Sequence, residues 1–252
     1  MGGFDAAAGT YDTDFTNTFI GKTQRQRVWR YLDRQIASGM KVLELNGGTG
    51  ADAQHLVAKG CKVLFTDISA EMLEIARSKI GNAASYREMD LKDLDKIDLA
   101  NQFDLIFSNF GGLNCISKNG LTVLNTFASR HLAKNGKLIL VIMPTRNIID
   151  SLYRKWKKVP KPTRESHVPT RILVADEMVD TYFHDPADVE KQMSDFKKIR
   201  SIPVGFIPSY FVAFLSSRPF LRVLLIWIDR FLALFSGLSG RGDHYLIHME
   251  RR

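Results

Sequence analysis

The sequence predicts a doubly wound α/β fold, a mostly parallel sheet covered by helices on both faces. Short apolar runs alternate with helical stretches between residues 22 and 143, and parallel strands need such right-handed crossovers. The runs are near-continuously apolar, as in strands covered on both faces. The 252 residues, 45% hydrophobic and 25% charged, exclude disorder as the main state and suffice for one large domain with a small cap.

Residues 1–21 read as irregular, rich in Gly, Asp and Thr. A helix is expected over 22–38, with Val28, Trp29, Leu32 and Ile36 on one side. Strand 41–45 leads to helix 51–59, strand 62–66 to helix 69–80, and residues 84–88 and 103–107 supply two further strands. A helix over 118–133 should end at the Asn135-Gly136 stop signal, before the most apolar strand, 137–143. The rhythm then breaks into a basic loop, a β-rich stretch over 171–183 and a short helix opened by Asp185-Pro186. Residues 243–249 alternate as an edge-type strand would.

The first strand runs through Glu44 into Asn46-Gly47-Gly48-Thr49-Gly50 and then a helix. Glycines there let the backbone turn sharply and bring main-chain N–H groups against a ligand. Asn46 occupies a position where glycine is expected, and Asn best tolerates a left-handed conformation. Gly48 to Ala53 fits G-x-G-x-x-A, the dinucleotide pattern, with Asp67 downstream for a ribose. Charge argues against a pyrophosphate, because Glu44 and Asp52 bracket the loop. Two unit charges about 5 Å apart repel by roughly 3 kcal/mol at an effective dielectric of about 20. The sulfonium and ammonium of S-adenosylmethionine (SAM) favour the same acids.

Residues 42–50, Val-Leu-Glu-Leu-Asn-Gly-Gly-Thr-Gly, resemble motif I of the class I SAM-dependent methyltransferases. Residues 64–77 resemble their second motif, Met89-Asp90-Leu91 the third, 103–110 the fourth and 135–140 the fifth. Phe4-Asp5, Ala8 and Tyr11-Asp12 are similar to the opening segment of ubiquinone/menaquinone-type enzymes. The resemblance covers residues 4–143 and implies a Rossmann-like, mostly parallel seven-stranded sheet with an antiparallel last strand, plus a C-terminal helical and β cap. It implies SAM as cofactor and S-adenosylhomocysteine (SAH) as product. Asp67 would accept from both ribose hydroxyls, and Ile68 and Met72 would flank the adenine. Asp90, followed by Leu91, would accept from the adenine amino group. Asn109 and Phe110 would sit at the cofactor edge, Tyr11 would close over the methionine end, and Arg25 would meet the carboxylate.

In-line methyl transfer needs mainly positioning and desolvation. No His/Asp/Glu cluster has metal-ligand spacing. An oxygen acceptor benefits from a base, for which His167 and His184 are the candidates and Tyr182 a weaker one. Net charge is +8, and Arg154, Lys155, Lys157, Lys158, Lys161 and Arg164 form a run without acids. No nucleic-acid-binding module accompanies the run, so nucleic acid is not expected. The tail at 208–215 and 219–235 reads as two apolar helices, broader in apolar surface than a surface helix needs. Basic run and tail together are compatible with a packed interface, a lid over an apolar pocket, or peripheral contact with an anionic membrane.

The expected organisation is an N-terminal lid segment and helix (1–40), a cofactor-binding core (41–145), a substrate cap with basic loop and apolar helices (146–240) and a final core strand (241–252). No secretory signal is visible, and the two isolated cysteines fit a reducing, cytoplasmic setting. The expected activity is methylation of a small, largely apolar acceptor (aromatic, quinone-, polyketide- or lipid-like), with oxygen favoured over carbon. Methylation of RNA or protein, and a SAM-binding module without turnover, are the alternatives.

Overall fold

The computed structural model describes residues 4–160, 164–174, 177–208 and 211–252. Lys161, Ala175, Asp176, Ser209 and Tyr210, which fall within expected elements, lie outside the described residues. Seven strands form the main sheet: β1 (Lys41–Leu45), β2 (Lys62–Asp67), β3 (Ala84–Glu88), β4 (Phe103–Ser108), β5 (Leu132–Ile142), β8 (Phe196–Gly205) and β9 (His244–Arg251). Their order is β3-β2-β1-β4-β5-β9-β8. β1 to β5 pair in parallel, whereas β9 runs antiparallel to both β5 and β8. A hairpin of β6 (Thr170–Val174) and β7 (Glu177–Thr181) forms a separate two-stranded sheet.

The helices are α1 (Phe19–Leu32), α2 (Ala51–Ala58), α3 (Ala70–Ile80), α4 (Lys118–His131), α5 (Ile148–Lys157), α6 (Pro186–Gln192), α7 (Phe211–Ser216) and α8 (Pro219–Leu232). Side-chain oxygens cap several where the sequence supplies them: Ser69 accepts from the N–H of Met72, and Ser117 from that of Gly120. Successive strand residues point to opposite faces. Leu138, Leu140 and Ile142 of β5 enter one core with α4 and α6, and Ile139 and Val141 enter the other with α1, α2 and α3. Both faces are therefore dry, as the continuous apolar runs require.

Four expectations are corrected. The strand read as an edge at 243–249 lies inside the sheet, and every residue from His244 to Met249 is buried. One of its polar side chains finds a partner across the fold: His248 Nδ1 lies 2.8 Å from the Tyr31 hydroxyl. The edge strand on that side is β8, β3 being the other edge; the sequence reading missed β8 because Lys197, Lys198 and Arg200 read as surface. Cations and Pro203 suit an edge, since they discourage further pairing and only one flank needs a ladder. α4 ends at His131, and Asn135-Gly136 falls in an irregular start of β5, where Phe103 pairs with Leu132 and Leu105 with Lys137. The basic loop begins as helix α5: Asn147 caps it by accepting from the Asp150 N–H, and its cations crowd the last turn, where the helix dipole favours them.

Among the described residues, no helix is long and apolar enough to cross a membrane.

Candidate active site

The carboxyl ends of β1, β2 and β4 meet at one edge of the sheet, the place where open α/β sheets bind ligands. The turn after β1 uses left-handed backbone at Asn46 (φ 48°), Gly48 (φ 59°) and Gly50 (φ 82°). Asn46 does more than tolerate that conformation. Its Oδ1 accepts from the Ser108 hydroxyl at 2.7 Å and its Nδ2 donates to the Asn109 carbonyl at 3.0 Å, tying the turn to the end of β4. Gly47 is required for space: a Cβ there would sit 2.1 Å from the Phe65 ring, which is fully buried. Gly50 lets α2 approach α3, since its Cβ would lie 2.8 Å from that of Ala76. Gly50 thus shapes the turn from behind.

Asp67 ends β2 and is 7% exposed. Its Oδ2 accepts from the Gly48 N–H at 2.8 Å and its Oδ1 from the Ser69 N–H at 3.0 Å. Burial pushes its pKa up, and backbone donors from Ser69, Gly48 and Ile68 oppose that rise. Each carboxylate oxygen keeps acceptor capacity for another donor. Asp67 faces a cavity of about 360 Å³, within the roughly 300–1,000 Å³ usual for ligand pockets. Ile68, Met72 and Leu91 supply apolar walls, and Asp90, whose Oδ1 accepts from the Lys92 N–H, stands at the rim. Met89, Cys115, Ile116 and Val179 of the hairpin also line it. Apart from Met89, which falls in the third motif, the sequence reading had not placed them at the site.

A smaller polar cleft adjoins the cavity and shares Tyr11, Asn46, Gly48 and Phe110 with it. Arg25, Gly47, Thr49, Ala51, Asp52 and Asn109 complete it. Asp52 is buried and triply held, by the Arg25 guanidinium, by Trp29 Nε1 at 2.6 Å and by Asn109 Nδ2 at 3.0 Å. Arg25 also lies over the Phe110 ring, 4.9 Å from its centroid. Its Nε has no hydrogen-bond partner, and neither has Oε2 of Glu44, which is 1% exposed and lines neither cleft. Burial raises the Glu44 pKa well above the usual carboxylate value; Asp52 and Asp67 add to the rise and Arg25 opposes it.

The N-terminal segment closes over these clefts. Tyr11 packs on Phe15 (centroids 5.7 Å) and Phe15 on Phe110 (5.3 Å). Asp12 straps the segment down, accepting from the Thr49 hydroxyl at 2.6 Å and pairing with Lys79. Thr49 is thus spent on the strap.

Neither candidate base lines the cavity. His167 is exposed and paired with Glu165 at 3.1 Å. His184 is fully buried behind the wall: its Nε2 lies 3.0 Å from the Ile116 carbonyl, and burial lowers its pKa. His244, not singled out before, stands edge-on to Phe110 at 5.3 Å with Asp243 beside it at 3.1 Å. Only the pairing of β9 with β5 brings it there.

Residues 42–136 match the family model described as a methyltransferase domain. The sheet order and the Asp67 cavity agree with that match. Residues 42–136 are a methyltransferase domain of the class I SAM-dependent superfamily. The ubiquinone/menaquinone biosynthesis C-methyltransferase UbiE of Shewanella baltica is 33% identical over 151 residues, covering 54% of this chain and 58% of that protein. The chain thus spans little more than half the length of the curated relatives it matches. The methyltransferase fold extends further than this identity. DhpI in complex with SAH aligns with a TM-score of 0.64 at 16% identity, covering 98% of this chain and 93% of that one. The SAH-bound magnesium protoporphyrin IX methyltransferase of Synechocystis PCC 6803 gives 0.59 at 17% identity, with 99% and 94% covered.

Arg25 lines the polar cleft with its Nε unpartnered, which fits a ligand carrying a carboxylate, and the buried acids Glu44 and Asp52 suit a ligand that also carries positive charge. An apolar slot ending at Asp67 fits a nucleoside. The donor set of this methyltransferase domain therefore suits SAM.

Proposed function

We propose that this chain transfers a methyl group from SAM to a small, largely apolar acceptor. The observation that carries the reading is Asp67: a buried carboxylate at the end of β2, oriented by two backbone N–H groups and facing the apolar cavity. Charged acceptors of this kind gain about 1.5–3 kcal/mol per hydrogen bond. Asp67 would accept from the ribose hydroxyls, Ile68 and Met72 would sandwich the adenine, and Asp90 would accept from its amino group. Arg25 would meet the methionine carboxylate, and Glu44 and Asp52 would balance the positive charge. When bound, SAM supplies a methyl group made electrophilic by its positive sulfur. Tyr11, Phe15 and Phe110 would exclude water and fix the approach, where effective-molarity arguments allow about 7–11 kcal/mol.

For the methylated atom, the sequence reading favours oxygen, whereas UbiE, the curated relative named above, is a C-methyltransferase. Among the described residues no histidine lines the cavity, and burial pushes the Tyr11 phenol up to about 12 and the Cys115 thiol up to about 11. Neither group serves as a base near neutrality. The acceptor therefore brings its own acidity, as an acidic hydroxyl or the carbon conjugated to it.

Calorimetry with SAH and with NADH tests the cofactor: SAH should bind and NADH should not, and the reverse result refutes the proposal. A labelled-methyl screen against lipid, metabolite and RNA extracts tests the acceptor. Label in the organic phase supports an apolar acceptor, and label confined to RNA refutes it.

A further inference from the structure

α8 carries two apolar faces. Leu221, Leu225 and Ile226 turn inward onto a satellite core with Ile20, Ile207, Phe211 and Leu215. Phe220, Val223, Leu224, Trp227, Ile228 and Phe231 form a second stripe at helical spacing, and all six are exposed, Phe220 by 91% and Trp227 by 64%. α5 rests on the same satellite core through Ile149 and Tyr153 and turns Leu152 and Trp156 outward, Trp156 by 70%.

The charges around these stripes have one sign. Over residues 211–241 the sole acid is Asp229, and over 148–160 it is Asp150. Both are turned into the protein. Asp229 accepts from the Phe206 N–H and pairs with Arg27, and Asp150 pairs with Arg154 and Arg164. Both acids are buried, so among the described residues of these two segments the outward charges are cations, including Lys155, Lys157, Lys158, Arg218, Arg222 and Arg230 beside the apolar stripes.

We propose that α5 and α8 together dock on an anionic lipid bilayer, lying in the interface rather than crossing it. An interfacial helix combines an apolar stripe holding Trp and Phe with flanking cations, and its binding gains from both. Two of the chain's three tryptophans stand exposed on this face, and Trp favours the bilayer-water interface. A second copy of the chain fits less well. A two-fold interface would set the same cation-only rim against itself, which costs affinity. The N-terminal segment links this face to the cavity: Phe15 covers Phe110, and four residues on Phe19 packs into the satellite core beneath Arg222. Docking would therefore hold the cavity close to lipid-soluble molecules, a consequence that rests on the proposed methyl transfer. The docking itself does not.

The test is co-sedimentation of the full chain with vesicles of phosphatidylcholine, alone or mixed with phosphatidylglycerol. Binding is expected on the mixed vesicles, weakening as salt shortens the range of the attraction. The double variant Trp227→Glu/Phe231→Glu should lower partitioning by about tenfold or more, and Lys155→Gln/Lys157→Gln/Lys158→Gln should remove most of the preference for anionic lipid. An unchanged melting temperature in both variants separates loss of docking from loss of folding. Absence of the parent chain from the anionic pellet overturns the proposal. So does concentration-dependent dimerisation of the parent that Trp227→Glu abolishes, which would assign the face to a second copy. SAH calorimetry on the same samples reads the cofactor site separately, so failure of either proposal leaves the other standing.

Discussion

Replacing Asp67 by Ala removes a carboxylate that does two jobs. In the free protein it accepts from the Gly48 and Ser69 N–H groups at 2.8 and 3.0 Å. In the complex it would also accept from two ribose hydroxyls. Bonds to a charged acceptor are worth about 1.5–3 kcal/mol each, so losing the ligand pair costs roughly 3 kcal/mol at the low end, or about a hundredfold in Kd. The two backbone donors would lose their acceptor as well, at about 1–3 kcal/mol for each that stays buried. The variant should therefore melt earlier than the parent. Asp67→Asn is the finer probe: its one oxygen serves one backbone donor, and its amide faces the other donor unfavourably. Calorimetric titration with SAH, alongside thermal melts of parent and both variants, reads both effects. A cooperatively folded Asp67→Ala protein whose SAH Kd stays within about twofold of the parent's would refute the assignment.

Gly47→Ala forces a methyl into the Phe65 ring; overpacking of this kind costs about 1–3 kcal/mol, so a lower melting temperature and weaker SAH binding are expected together. Glu44 has a folded pKa raised by burial and by neighbouring acids, so its contribution to stability is fully present below the ordinary carboxylate pKa and is lost as pH rises through the raised value. Glu44→Gln should accordingly gain stability over the parent as pH rises above that ordinary value, measured by melts across pH. Asp229→Ala strands Arg27, which is mostly buried; breaking such a pair costs about 3–5 kcal/mol, readable as a drop in the denaturation midpoint.

What the sequence alone determined is the part of the molecule built from local pattern. Continuous apolar runs between helical stretches defined β1, β2, β4 and β5, because burial on both faces leaves no other composition, and the alternation itself marked β3, a half-exposed edge strand. The acid-glycine-acid arrangement from Glu44 to Asp67 marked the turn after β1 and the buried carboxylate that ends β2, because a tight turn and a buried carboxylate each require particular residue types. The left-handed backbone of Asn46 was likewise legible in its side chain. The tertiary structure decided what depends on distant partners. β8 read as surface because an edge strand is charged, and only its pairing with β9 makes it part of the sheet. Asn46 joins Ser108 and Asn109, Arg25 is held by Asp52, and His244 reaches Phe110 through contacts between residues far apart in the chain. The exposed face of α8 was hidden for the same reason. Its apolar periodicity is equally consistent with a core, and only the inward turn of Asp229 shows which stripe the protein covers and which it leaves exposed.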